Sequence, residues 1–101
     1  MRTYLQRRNG TYYFRCRIPT KYQPFFDGKR EFKLSLLQKS TRTVLRLSNT
    51  IESLIKELFM LLDHSDTFSA HALVSSYLNQ IKAEIDNNYF QNNRTDLPLK
   101  N

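Results

Sequence analysis

The chain of 101 residues holds one cysteine, two glycines and three prolines. A lone Cys16 excludes an intrachain disulfide and a zinc site built from cysteines, and it points to a reducing, cytoplasmic compartment. With only Gly10 and Gly28 there is no glycine-rich loop to cradle a phosphate. The longest apolar run, Leu58 to Leu62, is far short of a membrane span, and no apolar stretch follows Met1-Arg2-Thr3-Tyr4. Neither secretion nor membrane insertion is expected. No Ser/His/Asp set and no carboxylate pair stands out, and His64 and His71 lack a third ligand at metal spacing. No catalytic residue, metal, cofactor or small-molecule substrate is assigned, and the chain by itself is not expected to be an enzyme. There is no internal repeat and no low-complexity block.

Acidic residues are scarce in one half only. Residues 1–46 carry twelve Lys and Arg against Asp27 and Glu31, a net of +10, whereas residues 47–101 carry four against seven acids, a net of −3. A basic patch confined to one half concentrates a polyanion and speeds encounter, which suits nucleic acid first and an anionic membrane second. The apolar fraction of 40% and the aromatic fraction of 13% are those of a globular chain, and the length is that of one domain.

Between Tyr4 and Leu37, arginines alternate with aromatics at the two-residue period of a strand, and the alternation breaks at Asn9-Gly10, a strong hairpin signal. A two-residue turn there opposes Arg8 to Thr11, Arg7 to Tyr12, Gln6 to Tyr13, Leu5 to Phe14 and Tyr4 to Arg15. One face then holds Thr3, Leu5, Arg7, Tyr12, Phe14, Cys16 and Ile18. The other holds Tyr4, Gln6, Arg8, Tyr13, Arg15 and Arg17. Pro19 ends the second strand, a short helical piece is expected at Tyr22 to Phe26, and Asp27-Gly28 relaunches the chain. In the third strand Phe32, Leu34 and Leu36 join the Phe14 face, and Lys33 joins the arginines. Register places Cys16 as a small buried hydrophobe and puts Arg7 and Arg30 on the core side near strand ends.

Ser40 and Thr41 are N-cap candidates for an amphipathic helix over Thr41 to Asp63. Its stripe is Val44, Leu47, Ile51, Leu54, Leu58 and Leu61, widened by Leu45, Ile55, Phe59 and Leu62, enough for two neighbours. Asp66 or Thr67 caps a second helix over Phe68 to Tyr89, with Val74, Tyr77, Leu78, Ile81 and Ile85 on its apolar side. The expected fold is α+β: a three-stranded antiparallel sheet packed against a long helix, followed by a second helix. The division is 1–63 for the sheet and first helix, 64–90 for the second helix, and 91–101 for a linker or frayed tail.

A small sheet fits the major groove of B-DNA, where cations meet phosphates, Arg binds guanine edges and Gln adenine edges. Tyr4, Gln6, Arg8, Tyr13, Arg15, Arg17 and Lys33 are the candidate DNA-contacting residues. Two other classes stay open. The helices can serve as a protein-protein interaction or self-association module, and the tyrosines can stack on the bases of RNA.

Tyr4-Leu5-Gln6-Arg7-Arg8, Gly10 through Pro19, Lys29-Arg30-Glu31, Ser35-Leu36 and Arg42 together resemble the N-terminal region of phage integrases, the tyrosine site-specific recombinases. The resemblance covers about Tyr4 to Leu62. It implies an arm-type domain that binds accessory double-stranded DNA sites in support of DNA integration and recombination, within a bacterial, nucleoid-associated setting. It also implies that catalysis belongs to a further domain, so that the chain is a fragment of a recombinase or acts beside one, with other integrase protomers as partners through the helices. The Asn9-Gly10 turn is tighter than the wing some members carry. The second helix fits the start of a core-binding domain, a linker or a dimerisation element, and the sequence leaves these open.

Overall fold

The computed structural model describes residues 3–38 and 40–94, with side chains through residue 89. Strand β1 spans Thr3–Arg8, β2 Thr11–Arg17 and β3 Glu31–Ser35, in the order β1-β2-β3 with both pairings antiparallel. The turn between β1 and β2 has Asn9 at φ 54° and Gly10 at φ 79°. Two consecutive positive φ values make a tight hairpin whose twist matches that of its strands, which is why an Asn-Gly pair selects it. The register is the one expected from the sequence, from Arg8 opposite Thr11 to Tyr4 opposite Arg15. On the far side Arg15 lies opposite Lys33 and Arg17 opposite Glu31.

Pro19 opens a 3₁₀ helix, Thr20–Phe26, which ends on the left-handed pair Asp27 (φ 57°) and Gly28 (φ 76°). The expected Tyr22 to Phe26 piece is thus two residues longer at its start. Leu37, also left-handed at φ 57°, carries the chain out of β3. That conformation costs a non-glycine residue roughly 1–2 kcal/mol, a cost the surrounding packing must offset.

Helix α1, Thr41–Leu62, starts under Ser40, whose hydroxyl accepts from the Thr43 N–H at 3.5 Å. Helix α2, Thr67–Arg94, starts under Asp66, whose carboxylate accepts from the Ser69 N–H at 2.7 Å. It runs past the Tyr89 end expected from sequence, so the polar segment expected to fray from Gln91 is helical to Arg94. The rest of that tail, 95–101, lies outside the described residues.

The core lies on the Phe14 side of the sheet. Phe14, Cys16, Ile18, Phe32 and Leu36 meet Val44, Leu47, Ile51, Ile55, Leu58, Phe59 and Leu62 of α1, all of them buried. Ala70, Val74, Ile81 and Ile85 of α2 extend the same cluster, and α2 packs along α1. Each fully buried Val, Leu, Ile or Phe among them contributes about 1.5–3 kcal/mol by leaving water. Two expected stripe members fall outside: Leu45 is 51% and Leu61 36% exposed. Leu45 follows buried Val44 by one residue, about 100° around the helix, and so turns to solvent.

The 3₁₀ helix is fastened to the end of α1. The Tyr22 ring stacks on Phe59 at 4.6 Å, its hydroxyl donates to Asp63 Oδ1 at 2.6 Å, and Lys21 Nζ reaches the same oxygen at 3.2 Å. These bonds hold the Asp63 carboxyl below the usual carboxylate range, while burial pushes the Tyr22 phenol up. No helix among the described residues is long and apolar enough to cross a membrane.

Candidate nucleic-acid interface

The register turns the polar face of the sheet into a grid. Arg17 sits beside Glu31; Tyr4, Arg15 and Lys33 form the next row; Gln6, Tyr13 and Ser35 the next; Arg8 and Thr11 close it at the hairpin. All seven residues picked from sequence, Tyr4, Gln6, Arg8, Tyr13, Arg15, Arg17 and Lys33, share this face, and the core and both helices lie behind the other. Arg8, Arg17 and Lys33 are exposed; Gln6, Tyr13 and Arg15 are half-buried.

The members are not equivalent. Arg15 donates from Nη2 to Glu31 Oε1 at 2.6 Å, from Nε to the same oxygen at 3.1 Å, and from Nη1 to Gln6 Oε1 at 3.4 Å. Its guanidinium carbon lies 5.1 Å from the centre of the Tyr4 ring, and the Tyr4 hydroxyl donates to Glu31 Oε2 at 3.0 Å. The hydrogen bonds from Arg15 hold the Glu31 carboxyl below its ordinary range, so it is ionised at neutral pH. Lys33 lies over the Tyr13 ring at 5.3 Å. Among the described residues, Arg8 and Arg17 have no carboxylate within ion-pair distance.

Glu31 is the neighbour on this face that the choice of cations passed over. The alternation in β3 already set it beside Lys33, but alternation does not reveal that its carboxylate spans diagonally to Arg15. The face therefore carries four cations against one carboxylate. An open depression of about 430 Å³, lined by Thr3, Tyr4, Arg17 and Glu31, lies at the end of the sheet away from the hairpin.

Arg7 and Arg30, assigned to the core side by register, are both exposed, and Arg7 lies over the Tyr12 ring at 5.7 Å. Cys16 is fully buried, and burial pushes its thiol up to about 11. His64 and His71 are both exposed, and His71 meets the Phe25 ring edge-on at 5.8 Å. Among the described residues no group of three or more His, Cys, Asp or Glu is placed to hold a metal ion.

The family described as "Domain of unknown function (DUF6538)" matches residues 4–63. The chain belongs to that family. The DUF6538 match takes in the whole sheet, the 3₁₀ helix and α1, and stops before α2, so the grid of cations and the core behind it both lie within it. No curated protein and no solved structure matches the chain.

Proposed function

We infer that the polar face of the sheet binds double-stranded DNA. The observation that carries this reading is the gathering of Arg8, Arg15, Arg17 and Lys33 with Tyr4, Gln6 and Tyr13 on one open face, while the opposite face is sealed by helices. A small sheet fits the major groove, with central side chains at base edges and peripheral cations at phosphates. Arg8 and Arg17, at opposite ends of the grid, and Lys33, on the outer strand, suit phosphates. The resemblance to integrase N-terminal regions supports a role at accessory sites, in the service of integration and recombination carried out by a separate catalytic domain.

In competition among duplex DNA, single strands and structured RNA, the duplex is expected to win. Replacing Arg8, Arg17 and Lys33 together by Ala is expected to weaken duplex binding by roughly tenfold or more at moderate salt. Unchanged affinity in that variant overturns the reading, and preference for RNA transfers it to the tyrosines as stacking platforms.

One observation favours a second role for the helices. Phe68 at the start of α2 is 89% exposed and Met60 near the end of α1 is 58% exposed. Self-association through this corner is expected to appear as a concentration-dependent sedimentation coefficient that Phe68→Ser abolishes; a coefficient constant with concentration removes it.

A further inference from the structure

We propose that Arg15 reads a guanine from the centre of the sheet face and that Glu31 is the positioning residue that holds it for that task. This rests on the duplex-binding reading above and adds what the site recognises.

What Arg15 can recognise is set by the donors of its guanidinium. Arginine has five N–H bonds in one plane. Glu31 Oε1 takes one from Nε and one from Nη2, and Gln6 Oε1 takes one from Nη1. Two remain, one on each terminal nitrogen. A donor on each terminal nitrogen is what an arginine uses to pair with O6 and N7 on the major-groove edge of guanine.

Holding matters as much as donor count. A free arginine samples many rotamers and meets phosphates as readily as bases. Arg15 is gripped along its side by a carboxylate, at its rim by an amide and across its face by the Tyr4 ring, and Tyr4 closes the loop by donating to Glu31. Its position agrees: Arg15 is on the central strand between Tyr4 and Lys33, whereas Arg8 and Arg17 sit at the ends without such a frame. Gln6, its carbonyl engaged by Arg15, is correspondingly drawn away from the adenine contact its residue type suggests.

The test is a selection from a duplex library with a randomised centre, performed with the wild-type chain, Glu31→Gln, Glu31→Asp and Arg15→Lys, each checked for an intact melting transition. The wild type is expected to enrich duplexes with guanine fixed at one position, and 7-deazaguanine there, which lacks N7, to weaken its binding by roughly tenfold. Glu31→Gln and Arg15→Lys are expected to lose the guanine preference while keeping or gaining affinity for scrambled duplex at low salt, with Glu31→Asp recovering part of it. A Glu31→Gln variant that still prefers guanine overturns the positioning role, and insensitivity to 7-deazaguanine overturns guanine reading. A wild-type chain that retains no duplex from the library overturns the functional reading itself.

Discussion

The chain builds the same small device twice. Tyr4, Glu31 and Arg15 on the sheet repeat the chemistry of Tyr22, Asp63 and Lys21 at the end of α1: a tyrosine hydroxyl donates to a carboxylate, and the carboxylate's cation lies over the tyrosine ring, at 5.1 Å in the first case and 5.0 Å in the second. Their settings differ. The Tyr22 ring is 6% exposed and stacked on Phe59, so its cluster pins the 3₁₀ helix to the core, while Tyr4 is 42% exposed on a face that no described element covers. The same three functional groups act as a fastener where the ring is buried and as a pre-set donor array where it is not.

Truncation separates the two most strongly. Tyr22→Ala removes a stacked, buried ring and is expected to cost about 3–5 kcal/mol in urea unfolding, near the whole stability of a small domain. Tyr4→Ala, on the open face, is expected to stay within about 0.5 kcal/mol of wild type. Equal losses at the two positions would erase the distinction. Removing the hydroxyls alone is a finer probe: Tyr22→Phe is expected to cost about 1 kcal/mol and Tyr4→Phe close to nothing.

Exchange at Cys16 reads the same contrast through opening of the core. The thiol is buried and raised to about 11, so DTNB at pH 8 is expected to react with it only through unfolding. Tyr22→Phe should therefore speed labelling, and Tyr4→Phe should leave it at the wild-type rate. Labelling of the wild type as fast as of the denatured chain contradicts the packing described.

Acid gives the smallest effect. Both carboxyls sit below their ordinary range, Glu31 through hydrogen bonds from Arg15 and Asp63 through those from Tyr22 and Lys21. A depressed carboxyl contributes stability that is complete above its unfolded value, about 4, and disappears as pH falls through its folded value. The Tm gaps separating wild type from Asp63→Asn and from Glu31→Gln are thus expected at pH 7 and should close below about pH 4. A gap that persists into acid would assign these residues another role.

Much of this was legible in the residues because local rules and tertiary needs agree. Asn9-Gly10 admits one tight turn, that turn admits one register, and the register sorts every side chain from Thr3 to Arg17. Of the two cap candidates at each helix start, Ser40 rather than Thr41 and Asp66 rather than Thr67 make the capping bond. What stayed hidden depends on contacts that pattern does not encode. Tyr22 and Asp63 are 41 positions apart, and Arg15 and Glu31 meet diagonally across strands joined by the 3₁₀ segment. The last turn of α2 escaped because Gln91, Asn92 and Asn93 carry no apolar period, yet a helix once nucleated extends at little cost.

The central claim, that the polar face of the sheet is the DNA-binding surface, is tested most directly by titrating the isotope-labelled chain with a 20-base-pair duplex and following its amide resonances. Shifts are expected at Gln6, Arg8, Tyr13, Arg15, Arg17 and Lys33, receding as salt is raised, with the buried α1 positions Ile51 and Ile55 unmoved. Shifts confined to α1 and α2, or none at low salt, would contradict it.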